Sequence, residues 1–151
     1  MSAHGKSLTR TPLTAADPGL IRVGVAAFAA VELALAIWMA AAPHSFFKAI
    51  GPFAGYNAHY IRDVATFQAA LGFGLLVSVW ERSWRVPALG ITLVQFALHS
   101  VNHLADIGAS HPAWAGYFDF FALAAATLQL ALLFAAARAA SGQTTKGARS
   151  T

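Results

Sequence analysis

Two pairs of side chains in this sequence have both the spacing and the chemistry to bind one ligand. His59 and Asp63 stand four residues apart, and so do His99 and His103. On an α-helix, residues at i and i+4 lie on the same face, one turn apart. Imidazole suits zinc, copper, iron and nickel, and a carboxylate is a further ligand for such ions. On neighbouring helices, the two pairs predict a site for one transition-metal ion.

Histidine supports other chemistry as well, and the sequence leaves these alternatives open. His99 or His103 would serve as an axial haem ligand, although no companion feature selects haem. Together with Asp106 and Glu32, the histidines would also form a polar ladder that handles protons or binds a substrate, because imidazole titrates near neutral pH. An enzyme or redox protein that acts on a lipid-soluble substrate, such as a quinone, is a further alternative.

The segment around His99 is polar along one side only. At 100° per residue, six polar positions fall within an arc of about 100°: Thr92, Gln95, His99, Asn102, His103 and Asp106. Inside a membrane, such a stripe must face other helices or a wet cavity. Three more ionisable residues lie in the other apolar segments: Glu32, Arg62 and Asp119.

The segments that carry these residues are long and apolar. The chain has 151 residues, of which 58% are hydrophobic and 11% charged, whereas soluble domains average about 25% charged residues. A membrane-spanning helix needs roughly 20 apolar residues, and four segments qualify or nearly do: 20–42, 60–80, 86–107 and 113–137. The sequence therefore predicts an all-α integral membrane protein, an antiparallel up-down four-helix bundle over residues 19–140. The tails at 1–18 and 141–151 are predicted to be disordered and cytoplasmic.

Loop charge predicts the orientation of the bundle, because cytoplasmic loops are enriched in Lys and Arg. Eight of the ten basic residues fall on one side of the predicted spans: Lys6, Arg10, Arg22, Arg82, Arg85, Arg138, Lys146 and Arg149. Only Lys48 and Arg62 fall on the other side. Both ends of the chain are therefore predicted to be cytoplasmic. The aromatic-rich segment 44–56 is predicted to be a short loop on the outer membrane surface.

Composition also bears on partners and on redox chemistry. The net charge is +4 and the pI is about 10, but the basic residues stand at helix ends and in tails, which argues against nucleic acid. The chain has no cysteine, which excludes disulfide, zinc–thiolate and iron–sulfur chemistry. The predicted partner is the lipid bilayer of a bacterial inner (plasma) membrane. A homo-oligomer and a partner subunit in the membrane both stay open.

The predicted orientation brings ionisable residues from several spans to the outer half of the bundle: His59, Asp63, His103, Asp106 and Asp119. His99 would lie about one turn deeper, and Glu32 deeper still. We predict an outward-facing polar pocket there, with the two ligand pairs at its centre, Arg62 as its counter-charge, and Asp106 and Glu32 as supports. The alternative is a structural or accessory subunit whose polar side chains satisfy one another and only fix helix packing.

Two stretches of the sequence carry a resemblance to a known group of proteins. A Tyr-Asn-x-His-x-x-Arg-Asp block opens the second span, with the members Tyr56, Asn57, His59, Arg62 and Asp63, and paired histidines, His99 and His103, follow late in the third. The region from 43 to 107 resembles small, uncharacterised four-helix membrane proteins of actinobacteria, which are similar in general plan to DoxX-like proteins. The resemblance implies the fold and the importance of these residues, and it supplies no function. Ala58 stands where an acidic residue is often found in the group, which weakens a metal site that needs a ligand there.

Overall fold

The computed structural model describes residues 17–53 and 55–148, and this part of the chain is all-helical. The five α-helices are α1 (Pro18–Ala41), α2 (Pro43–Ala49), α3 (Ala58–Trp80), α4 (Arg85–Ala105) and α5 (Ala113–Ala148), and a short 3₁₀ turn at Arg82–Trp84 joins α3 to α4. Within the described ranges there is no strand, and a single isolated bridge pairs Phe53 with Ser110.

Local sequence accounts for the places where the helices begin and end. The Asp17 carboxylate accepts a hydrogen bond from the Gly19 amide, and Pro18 occupies the first turn of α1, where its missing N–H costs nothing. The Asn57 side chain caps α3 by accepting hydrogen bonds from the amides of its first turn. At the other end of α3, the Arg85 guanidinium donates to backbone carbonyls, which satisfies oxygens that the helix end leaves free.

Three of the helices are long and apolar enough to cross a membrane: Pro18–Ala41, Ala58–Trp80 and the Ala113–Gly142 part of α5. Helix α4 is long enough to cross a membrane, but the side chains of its polar stripe lower its mean hydropathy too far. The prediction of helices long and apolar enough to span a membrane is thus confirmed for three of the four segments.

The long helices associate as two pairs, α1 with α3 and α4 with α5. In the first pair, Gly72 lies against Leu33, and a Cβ at this glycine would stand 2.8 Å from the Leu33 Cγ. In the second pair, the Ser100 and Thr127 hydroxyls lie 3.1 Å apart. Fewer contacts join one pair to the other. The bundle is therefore solid where side chains fill the space between the pairs and hollow where they do not.

One end of the bundle is tightly packed. A continuous apolar cluster, which we call the packed half, consists of Ile21, Val25, Ala29, Leu75, Val79, Ala88, Leu89, Phe96, Leu130 and Ala137. Small residues let the helices approach closely there: a Cβ at Gly24 would meet the Leu133 side chain at 2.7 Å, and one at Gly90 would meet the Phe134 ring at 3.2 Å.

The structure differs from the sequence-based predictions at two places in the chain. The segment predicted to be a surface loop begins with helix α2, which Pro43 separates from α1. Helix α5 continues to Ala148, beyond the predicted end of the span and into the tail predicted to be disordered. No proline interrupts this stretch, and the Ser141 hydroxyl donates to the Ala137 carbonyl. The remaining predictions for the tails, at residues 1–16 and 149–151, lie outside the described residues.

Candidate ligand-binding cavity

A cavity of about 530 Å³ lies between the two helix pairs, at the end of the bundle opposite the packed half. Its walls are mostly aliphatic and aromatic, and six side chains bring polar atoms to it: Tyr60, Gln68, Gln95, His99, His103 and Asp119. Pockets for small molecules are typically about 300–1,000 Å³ in volume and mainly apolar, with a few placed polar groups. We call this end of the bundle the hollow half.

The histidines of α4 form a short hydrogen-bonded chain along the cavity wall. The Gln95 Nε2 lies 3.3 Å from the His99 Nδ1, and the His99 Nε2 lies 3.0 Å from the His103 Nε2. With the Gln95 amide as donor, His99 carries its proton on Nε2 and donates it to His103, whose own proton is then on Nδ1. If the Gln95 amide is flipped so that its oxygen accepts from the His99 Nδ1–H, the opposite set of tautomers reverses each bond and makes the His103 Nδ1 an acceptor.

Polar atoms without partners remain at the far end of this chain. Among the described residues, the His103 Nδ1 and the Asp119 Oδ2 are buried and have no hydrogen-bond partner, although Asp119 lies close enough to His103 for their charges to interact. Buried polar atoms are normally hydrogen-bonded. Unpaired atoms on the wall of a cavity are therefore suited to a ligand that supplies the missing bonds.

Aromatic residues cover the cavity at the end of the bundle away from the packed half. The Phe53 ring packs edge-on against the His103 ring, with 5.0 Å between the ring centroids. Phe53 also pairs with Ser110, and the His111 amide donates to the Pro52 carbonyl at 3.4 Å. The segment after α2 is thereby tied to the α4–α5 connection, and together with Phe46 it forms a roof over the cavity.

The cavity is open at its side, between the helices. Several of its lining residues have exposed side chains, and four of them are Val31, Tyr60, Val64 and Phe118. Three of the four are wholly apolar and stand on the flanks of α1, α3 and α5. A bilayer around the bundle would cover these flanks with acyl chains, so a lipid-soluble molecule would reach the cavity from the lipid.

The structure does not bring His59 and Asp63 to this cavity. They contact each other, Nε2 to Oδ2 at 3.4 Å, and their side chains are 84% and 57% exposed. The buried residues of α3 are Ala65, Gln68, Gly72, Leu75, Ser78 and Val79. At 100° per residue, Ala65, Gln68, Gly72 and Leu75 centre on the side of the helix opposite the pair. Small residues that pack closely on α1 set the rotation of α3, and the polar pair consequently faces outward.

The other predicted site residues are also divided. Arg62 is exposed and donates from Nε to the Ala40 carbonyl at 3.4 Å, so it contacts the end of α1. Asp106 is exposed at the end of α4. Glu32 is fully buried, and both of its carboxylate oxygens lack partners among the described residues, but it packs beside Gly72 and does not line the cavity.

The polar stripe of α4 is divided in the same way. Gln95, His99 and His103 line the cavity, whereas the Thr92 hydroxyl donates to a carbonyl of its own helix and Asn102 is exposed. Within residues 17–53 and 55–148, no three His, Asp or Glu side chains are placed to hold a metal ion. The four-ligand site expected from His59, Asp63, His99 and His103 is therefore not assembled.

Sequence reasoning did not single out three of the lining residues. Gln68 is a strongly polar residue in the middle of α3 and shares a helix face with Ile61 and Val64, which is a signal that periodicity contains. Tyr60 was placed at the start of a span without a role. Phe53 reaches the cavity only because the segment between α2 and α3 folds over it, and no local pattern indicates that.

Comparison of the chain with protein-family models, with curated proteins and with solved structures found no match. The cavity and its polar chain therefore carry the functional argument.

Proposed function

We propose that the protein is a multi-pass protein of a bacterial inner membrane, in which α1, α3, α4 and α5 all span the bilayer with both chain ends cytoplasmic. Three apolar helices support this, as does α4, whose polar side chains turn partly inward. Arg22, Arg82 and Arg85 stand together at the packed end, which agrees with a cytoplasmic location for that end. On this proposal the cavity lies in the outer half of the membrane. The resemblance to DoxX-like proteins belongs to the same proposal.

We further propose that the cavity binds a small, lipid-soluble molecule that carries a carbonyl or hydroxyl group, with a quinone-like ring as the best fit. The observation that carries this proposal is the Gln95–His99–His103 chain, which ends on an unpaired nitrogen in a cavity whose walls are mostly apolar. A ring carbonyl would accept a hydrogen bond from the His103 Nδ1, and a hydroxyl would donate one to Asp119. The apolar walls would hold the rest of the ring.

Two probes of matched shape test this proposal on the full chain purified in detergent. The first is 2-methyl-1,4-naphthoquinone, and the second is 2-methylnaphthalene, which has the same ring system without the carbonyls. We expect the quinone to bind about tenfold more tightly than the hydrocarbon, because a hydrogen bond to a buried unpaired group contributes roughly 1–2 kcal/mol. Titration calorimetry or the shift of the thermal transition measures both affinities.

Two variants separate the polar contribution from the apolar one. His103→Leu is expected to remove the preference for the quinone and to keep the binding of the hydrocarbon. Ala126→Phe, which fills the cavity from α5, is expected to abolish both. Equal affinities for the two probes in the unmodified protein would contradict the hydrogen-bonding role, and no binding of either probe would contradict the proposed function.

A metal ion held by the two histidines is the second candidate, because their Nε2 atoms lie 3.0 Å apart. Two imidazole nitrogens on one tetrahedral zinc ion lie about 3.3–3.4 Å apart, so a slight separation of the two rings would admit an ion in place of the hydrogen bond. The described residues supply no third ligand in place. Stoichiometric zinc, copper or iron that is lost in His99→Leu would favour this candidate, and a Soret band in the absorption spectrum would favour haem.

A further inference from the structure

A second concave site lies at the packed end of the molecule, far along the bundle from the cavity. It is a groove of about 290 Å³, formed where the start of α1 meets the connection between α3 and α4. Its lining includes the three arginines Arg22, Arg82 and Arg85, and the exposed Trp80 stands beside them. We call it the arginine groove.

The three guanidinium groups have no carboxylate partner within residues 17–53 and 55–148. Arg22 and Arg82 lie close enough to Arg85 to repel it. Arg85 donates two hydrogen bonds to the carbonyls of Ser78 and Val79. The part of the chain that is described provides no hydrogen-bond acceptor for Arg22 or Arg82. Three like charges around one groove are stable only with an anion or with water between them.

The acidic residues at this end of the molecule do not neutralise the groove. The Asp17 carboxylate accepts from the Gly19 amide at 2.8 Å, and the Glu81 carboxylate accepts from the amide and hydroxyl of Ser83. These two hydrogen bonds lower the pKa of Glu81. Both carboxylates are thus engaged locally, and neither forms an ion pair with an arginine of the groove.

We propose that the arginine groove binds a phosphate group, and that the headgroup of an anionic phospholipid supplies it. Guanidinium groups match phosphate oxygens in charge and geometry. Basic pockets between helices on the cytoplasmic side of a membrane bind such headgroups, and an exposed tryptophan is typical of the interfacial depth at which the headgroups lie. This proposal rests on the membrane location and orientation proposed above, and it is independent of the cavity and of the ligand proposed for it.

The test compares three additives on the full chain in a neutral detergent: phosphatidylglycerol, phosphatidylcholine and inorganic phosphate. We expect the unmodified protein to bind phosphatidylglycerol at least about tenfold more tightly than phosphatidylcholine, since each arginine near an anionic headgroup contributes about 1 kcal/mol. Native mass spectrometry counts the bound lipids, and the thermal transition reports their stabilisation. Equal stabilisation by inorganic phosphate would identify a free anion as the source of the phosphate group.

Matched arginine variants give the test its specificity. Arg22→Gln with Arg82→Gln is expected to lose the preference for phosphatidylglycerol. Arg82→Gln alone is expected to weaken this preference. The Arg82 side chain is exposed, so this variant is expected to fold. Arg138→Gln removes the same charge from α5, where the guanidinium lies over the Phe134 ring, and is expected to keep the preference. The proposal would be overturned if the double variant bound phosphatidylglycerol and phosphate as the unmodified protein does. It would also be overturned if Arg138→Gln lost the preference for phosphatidylglycerol to the same extent as the double variant.

Discussion

The packed half and the hollow half of the bundle are built by the same four long helices, yet one is solid and the other encloses about 530 Å³. In the packed half, Leu133 and Phe134 of α5 fill the space beside glycines of α1 and α4. In the hollow half, α5 lines the cavity with five residues: Phe118, Asp119, Ala122, Leu123 and Ala126. The two alanines leave space that larger side chains would fill. Unpaired polar groups of α4 and α5 are found where the packing is incomplete.

The largest expected effect is a difference between the two halves in the stability that is lost when a leucine is truncated to alanine. Leu89→Ala empties a fully buried position of the packed half and is expected to destabilise the protein by roughly 1–3 kcal/mol, the packing part of what soluble cores lose. The control Leu35→Ala lies on the cavity wall and is expected to cost less than Leu89→Ala, because a half-buried side chain beside a cavity has fewer packing contacts to lose. Reversible unfolding in mixed micelles measures both. Equal losses would show that the cavity collapses in the membrane.

A smaller effect is expected at the contact between α1 and α3. Gly72→Ala places a Cβ 2.8 Å from Leu33 and 3.1 Å from the Glu32 Cβ, and we expect a loss of about 1–2 kcal/mol. Gly74→Ala is the matched control, because its nearest neighbour would be 3.9 Å away and alanine favours the helix. A loss of stability in Gly74→Ala equal to that in Gly72→Ala would mean that the close approach is unimportant.

The smallest effect concerns Glu32, which lies in α1 between the residues of the two halves. Its carboxylate has no partner among the described residues, so Glu32→Leu is expected to raise stability by about 1 kcal/mol through removal of unsatisfied polar atoms. Binding of the naphthoquinone probe is expected to be unchanged, because Glu32 does not line the cavity. If Glu32→Leu stayed folded but no longer bound the naphthoquinone probe, Glu32 would have to be counted among the residues of the binding site.

The sequence predicts features that depend on one helix and does not predict those that depend on how helices are rotated. The stripe through Gln95, His99 and His103 is a property of α4 alone, and periodicity locates it. The outward direction of His59 and Asp63 follows from the close packing of Gly72 on α1, which involves two helices at once. Depth arguments put His59, Asp63 and His103 at one level and His99 about one turn deeper, but a common level does not decide whether side chains face each other.

The roof of the cavity illustrates the same limit in a different way. The contact between Phe53 and His103 joins residues 50 positions apart in the chain, and it requires the loop between α2 and α3 to fold back over the bundle. Helix hydropathy carries no information about that loop. The apolar character of α1, α3 and α5, in contrast, follows directly from composition and is confirmed.

The modest hydropathy of α4 has a consequence for how the protein enters a bilayer. Histidine, glutamine and asparagine oppose partitioning of an isolated helix into hydrocarbon. In the four-span arrangement proposed above, α4 would therefore enter together with a neighbour, as one arm of a helical hairpin. Its contacts with α5, the Ser100–Thr127 hydroxyl pair and the Phe134 ring at Gly90, join the two arms. The histidines of α4 would then be shielded from the lipid by α5 already during membrane insertion.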